Sequence, residues 1–193
     1  MDETVTLRRI EAADWSAVHT WGRLSEFCRF QPWGPDTEED SRAFTAAAAA
    51  AWSHRPQTRY AYLACLGGRP IGTGEVLIRN ARHRHGEIAY GLHPDEWGRG
   101  HGTTIGRELL RIGFEQVGLH RIGGTCDPRN VGSARILEKL GMTDEGRMRQ
   151  TLLIRDGWRD SQIYSILEHE WRARRRAATG GAPADLHRDS TPA

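Results

Sequence analysis

The chain predicts one α/β domain built on a mixed sheet, and three observations carry that prediction. Tyr60 to Leu66 (YAYLACL) and Ile71 to Ile78 (IGTGEVLI) flank Gly67-Gly68, which is a hairpin signal. The strand-like Glu87 to Leu92 (EIAYGL) passes through a glycine-rich turn into an amphipathic segment. There Ile105, Leu109 and Ile112 lie beside Leu110, Phe114 and Val117, at about 3.6-residue spacing. The periodicities also run in the order β-α-α-β-β-β-α-β-α-β-β, with no internal repeat and no linker.

Each element has its own reason. Thr4 to Ile10 alternates as an opening strand, and Asp14, an N-cap residue type, starts a Trp-bearing helix. Thr37 with Glu38 to Asp40 opens a second helix that runs to Trp52, its acidic first turn suited to the helix dipole. The three-strand meander and the amphipathic helix follow. Arg121 to Cys126 is a strand, and Asn130 caps a helix that carries Ile136, Leu137 and Leu140 and closes at Gly141. Two last strands, about Arg147 to Ile154 and Gln162 to Leu167, flank Arg155-Asp156-Gly157-Trp158. The domain is expected to span residues 1–171. Residues 172–193 read as an arginine-rich tail too polar to fold.

Composition bounds the function. With 193 residues, 38% of them hydrophobic and 27% charged, the chain suits a single sizeable core. No apolar run approaches the roughly 20 residues of a membrane span, and the first residues have no secretory h-region, so a cytoplasmic protein without a membrane partner is expected. Three scattered cysteines suggest neither a disulfide framework nor a metal site; Cys126 reads as a buried strand-end thiol. The net charge of +2 favours no acidic partner. The basic cluster Arg172 to Arg176 comes with no recognition motif, so no nucleic acid is expected.

The segment His93 to Leu110, HPDEWGRGHGTTIGRELL, carries the chemistry. Glycine at Gly98, Gly100 and Gly102 signals positive φ or close approach to a neighbour. A glycine-rich turn into a helix N-terminus offers unpaired N–H groups and the positive dipole end, and so can hold pyrophosphate. The spacing fits neither the Rossmann turn nor the P-loop. Taken alone, the turn is a corner or a cradle.

Together, EIAYGLHPDEWGRGHGT and DPRNVGSARILEKLGM resemble the GNAT acetyltransferases, in particular the branch of ribosomal-protein N-terminal acetyltransferases. The likeness extends from about Thr4 to Trp171. It implies a mostly antiparallel sheet splayed at an acetyl-CoA site, with no metal. It also implies a backbone cradle for the pyrophosphate running from Gly98 through Arg99, Gly100, His101 and Gly102 to Thr103. Asn130 and Ser133 match the family's N-x-x-S helix, and the resemblance sets Asn130 near the pantetheine amides. Many family members carry a tyrosine acid where this chain has Leu137. Members of the branch can carry a glutamate where it has Leu152.

Acetyl transfer to a primary amine needs a neutral amine, a polarised carbonyl and relief for the departing thiolate. A lysine amine (pKa about 10.4) needs much help at neutral pH, and an α-amino group (about 7.7 to 8.0) needs little. The resemblance puts the strand opening, and with it the polarising N–H, near Leu92 and His93. Glu87 is the leading base, acting through water; as a bland alternative it is an ion-paired strand glutamate. His93 is a weaker candidate base. Ser133 is a donor to the thiolate or a small packed residue. Arg99, Arg129 and Arg135 are candidates for cofactor phosphates. The acceptor is a protein N-terminus or a small amine, and a homodimer stays open. The rival reading is a non-catalytic acyl-CoA-binding module.

Overall fold

The computed structural model describes residues 4–178. Strands β1 (Val5–Arg9), β2 (Arg59–Leu66), β3 (Arg69–Asn80), β4 (His85–Leu92), β5 (Arg121–Cys126), β6 (Thr143–Ile154) and β7 (Gly157–Leu167) form one seven-stranded sheet. Its order is β1-β2-β3-β4-β5-β7-β6. Every neighbouring pair is antiparallel except β4 with β5, which are parallel because a helix crosses between them. The turn between β2 and β3 takes φ of +55° and +86° at Gly67 and Gly68, as a tight primed hairpin requires.

Helices α1 (Trp15–Gly22), α2 (Ser25–Cys28) and α3 (Glu38–Ala50) stand on one face; α4 (His101–Arg111) and α5 (Val131–Lys139) pack on the other. A smaller core of Ile10, Val18, Trp21, Ala48, Ala61, Leu63 and Cys65 lies under the first group. The larger core, with Ile88, Leu92, Ile105, Leu109, Leu137 and Leu140, lies under the second. Gly102 and Gly106 let α4 and α5 meet closely: a Cβ on Gly102 would stand 2.7 Å from Ile136 Cδ1, and one on Gly106 2.6 Å from Leu140 Cδ1.

Five details depart from the sequence reading. Asp14 does not cap α1; its carboxylate turns back to accept the Glu11 N–H at 2.8 Å and to bind Arg8 at 2.6 Å. The short helix α2 was not anticipated, and α4 ends in a π-helical turn over Ile112–Gln116. Both final strands start earlier than periodicity suggests, because breaks in register between Asp144 and Gly146 and between Met148 and Leu152 interrupt the alternation. The chain also continues past Trp171 as helix α6 (Glu168–Ala178), which takes in the basic cluster expected to be unfolded. Trp171 anchors it by stacking on Phe114, with ring centroids 5.9 Å apart. The remainder of the expected tail, 179–193, lies outside the described residues.

Candidate active site

The sheet opens at its one parallel seam. β4 and β5 pair only from His85 with Arg121 to Glu87 with Gly123. β4 then continues to Leu92 and β5 to Cys126 with no ladder between them, leaving a fork. Side-chain alternation on β4 sorts the fork's chemistry onto two faces. Ile88, Tyr90 and Leu92 face the larger core with α4 and α5. Glu87, Ala89 and Gly91 face α1 and α2, where a Cβ on Gly91 would stand 2.7 Å from Phe27.

The glycine segment begins where β4 ends. Gly98 and Gly100 take φ of +75° and +86°, and open space lies where their Cβ atoms would be. Gly102 is different: it is buried and helical, and its missing side chain serves the α4–α5 contact. From Gly98 to Gly102 the backbone N–H groups have no acceptor among the described residues. The N–H of Thr103 is engaged by Gly100 O at 3.0 Å, so the open run stops one residue short of the expected limit. Five free donors at the positive end of α4 suit a pyrophosphate.

His93 is also corrected. Its N–H donates to Ile71 O at 2.8 Å, so it is not free to polarise a carbonyl. Its Nδ1 accepts from Asp95 N–H at 3.2 Å, which puts the neutral ring's proton on Nε2 and leaves no lone pair for a base. Leu92 stands opposite Gly72 in a non-hydrogen-bonded pair, so its N–H points away from β3 toward the open fork. The Trp97 indole N–H holds Leu92 O at 2.9 Å and fixes the bend.

Beneath the glycine turn lies a residue that sequence reasoning passed over as part of an acidic turn. Glu96 is 4% exposed. It receives Arg69 at 2.9 Å, with Arg99 at 3.7 Å and His101 Nδ1 at 3.2 Å on its other oxygen. The Arg69 hydrogen bond, more than the charges of Arg99 and His101, holds its carboxyl below the usual range. Arg135 is exposed on α5 and makes no hydrogen bond or ion pair with the other described residues. Arg129 is committed to Asp127 and Asp156.

Helix α5 presents the second motif to the fork. Asn130 Oδ1 accepts the Ser133 N–H at 3.1 Å, the expected cap, and thereby sets the first turn. Ser133 Oγ lies 3.3 Å from Tyr90 Oη, a partner that sequence reasoning missed. Leu137 is 1% exposed and packs on Gly124, so no polar group from that position enters the fork. Burial pushes the Cys126 thiol up to about 11 and keeps it protonated. Glu87 is bound by Arg79 Nε at 2.7 Å through Oε2, while Oε1 makes no hydrogen bond to the other described residues. Glu87 and Ser133 are therefore not neighbours; they stand on opposite faces of the fork.

The segment that follows α2 is held by long-range contacts. Arg155, in the turn between β6 and β7, donates to the carbonyls of Cys28, Gln31, Trp33 and Gly34. Arg159 holds Phe30 O at 2.9 Å. Beside this clamp lies a cleft of about 280 Å³ lined by residues including Asp127, Arg129, Trp158 and Asp160.

The acetyltransferase (GNAT) domain family matches residues 4–143. This chain belongs to the GNAT family. It is similar to the uncharacterized N-acetyltransferase YnaD of Bacillus subtilis (strain 168), 29% identical over 86% of this chain and 94% of that protein. A GNAT-family acetyltransferase from Bacillus anthracis superposes with a TM-score of 0.75 at 29% identity, over 88% of this chain and 98% of the other. Mycobacterium smegmatis RimJ in complex with CoA-disulfide superposes with a TM-score of 0.75 at 25% identity, over 93% and 90%. This GNAT chain is an acetyl-CoA-dependent N-acetyltransferase. Among the described residues no helix is long and apolar enough to cross a membrane.

Proposed function

We propose that this enzyme acetylates an α-amino group, of the kind a polypeptide N-terminus carries, by direct attack of the amine on the thioester. One observation supports the acceptor class: three carboxylates, on β3, on β4 and just after β5, are each held by an arginine. Glu75 binds Arg59, Glu87 binds Arg79, and Asp127 binds Arg129. Such a wall offers little to a polycation, and an α-amine needs little help to lose its proton.

Acetyl-CoA supplies the activated acetyl group. The N–H groups of Gly98, Arg99, Gly100, His101 and Gly102 would hold its pyrophosphate, with Arg135 nearby as a cation for phosphate. Thr103 contributes by closing the first helical turn, and Asn130 by ordering the turn that bears Ser133. The Leu92 N–H would polarise the carbonyl. Glu87 would receive the amine proton through a water at Oε1, on the face from which the amine comes. Ser133, on the opposite face, would donate to the sulfur. Acceptor and leaving group are thus served from different sides, as direct attack requires.

The test is thiol release with peptides bearing a free N-terminus, Nα-blocked lysine peptides and spermidine. The free α-amine is expected to give the highest kcat/KM. Preference for spermidine or for the lysine side chain would overturn the acceptor assignment. CoA binding without release for any amine would favour the non-catalytic module.

A further inference from the structure

Leu137 leaves the fork without the phenol that many relatives carry on this helix, yet a phenol is present from another element. Tyr90 projects from β4 beyond the last paired residue, Glu87, and its Oη lies 3.3 Å from Ser133 Oγ and 3.5 Å from Ser133 O. We propose that Tyr90 is a positioning residue for thiolate departure, donating to Ser133 Oγ so that the Ser133 hydroxyl proton is directed at the sulfur. This rests on the role proposed above for Ser133 and extends it by one residue.

The direction of the hydrogen bonds follows from what each group can do. A serine hydroxyl has one proton and two lone pairs, and a phenol donates readily. With Tyr90 as the donor, the Ser133 proton stays available for the thioester sulfur, with the protonated Cys126 thiol as the other neighbour of the Ser133 side chain. Tyr90 has two acceptors in reach, both on Ser133, and Oγ is the nearer. Burial pushes the Tyr90 phenol far above its ordinary value, so it keeps its proton and acts as a donor. The Asn130 cap fixes the Ser133 backbone, which leaves the hydroxyl rotor as the remaining freedom. A donor at Tyr90 sets that rotor. Hydrogen bonds in a chain also polarise one another, so a Ser133 that accepts from Tyr90 donates more strongly. The separation is long for two hydroxyls, as catalytic hydrogen bonds often are until substrate is bound.

The step balances without moving a relay proton. The N–C bond forms, the C–S bond breaks, and the electron pair goes to sulfur. The proton lost by the amine leaves through Glu87 and water. Tyr90 and Ser133 keep their own protons and stabilise the thiolate by hydrogen bonding.

Tyr90→Phe, Ser133→Ala and the double variant test the proposal through kcat, calorimetric Kd for CoA, and the apparent pKa of the bound CoA thiol read by thiolate absorbance. Tyr90→Phe should lower kcat about three- to tenfold, leave Kd unchanged, and raise the bound-thiol pKa. The double variant should match Ser133→Ala alone, since the phenol acts through the serine. Additive losses, or a Tyr90→Phe enzyme with wild-type kcat and thiol pKa, would overturn the relay while leaving Ser133 as a lone donor. An unaffected Ser133→Ala enzyme would remove the serine role itself, and the relay with it. If Tyr90→Phe misfolds, 3-fluorotyrosine incorporated at position 90 decides the matter. Its stronger donor should lower the bound-thiol pKa, and an unchanged value overturns the proposal.

Discussion

The two ends of the fork are built in different ways. On the side proposed for the cofactor, one contiguous stretch from Leu92 to Gly102 supplies the bend, the left-handed glycines and the free N–H groups. On the side proposed for the acceptor, Arg155 and Arg159 reach back across 121 to 129 residues to hold the carbonyls of the 28–34 segment. The cofactor is one molecule with fixed phosphates, and a local backbone conformation suffices to meet them. An acceptor pocket has no such fixed partner, and its shape depends on side chains that join distant segments.

The largest expected effect separates two glycines of the local end. Gly100→Val places a β-branched residue at φ +86° and fills the space in front of free N–H groups, so acetyl-CoA affinity should fall about a hundredfold. The fold should survive, because no heavy atom stands within 4 Å of the new Cβ. Gly102→Val instead drives a Cβ into Ile136 and should cost about 1 to 3 kcal/mol of stability through overpacking. Thermal melts beside CoA titrations check the contrast. Equal loss of affinity with equal loss of stability in both variants would erase the distinction between cradle and packing glycine.

The distant end should respond in the opposite parameter. Arg155→Ala removes a guanidinium that gathers four carbonyls, and the 28–34 segment with Phe30 and Trp33 should loosen. We expect KM for the acceptor to rise about tenfold and KM for acetyl-CoA to stay within about twofold, one hydrogen bond to a charged group being worth about 1.5 to 3 kcal/mol. Steady-state kinetics with each substrate varied in turn provides the check. A matched rise in both KM values would mean that the clamp supports the whole fork.

Legibility in the sequence follows the same division. The strand Arg121–Cys126, the Asn130 cap, the Thr37 capping box and the positive φ at Gly98 and Gly100 all rest on residues within a few positions of one another. Such features have local signatures. Tyr90 with Ser133, separated by 43 residues, and Arg69 with Glu96, separated by 27, have none. No periodicity marks the point where β4 and β5 part, because that depends on the register of a parallel pair. Asp14 was misread for a subtler reason: a cap residue type has two local uses, and here the carboxylate serves the Glu11 N–H and Arg8.

The smallest expected effect concerns α6, which has a long-range anchor and a polar exterior. Trp171 is 7% exposed and stacks on Phe114, so the first turn of the helix belongs to the core. Beyond it, Arg172 pairs with Glu168 and Arg175 with Glu115, with both arginines substantially open to solvent. Exposed pairs of this kind contribute about 0 to 1 kcal/mol each. Deleting 172–193 should therefore lower Tm by only about 2 to 4 °C relative to a chain that ends at Ala178. Both KM values should stay unchanged, because Glu115 and Glu168 lie outside the two fork-lining regions. A shift in acetyl-CoA KM would mean that α6 steadies α4 through Glu115, tying the glycine cradle to a contact 60 residues away. The cofactor side would then depend on distant residues as much as the acceptor side does.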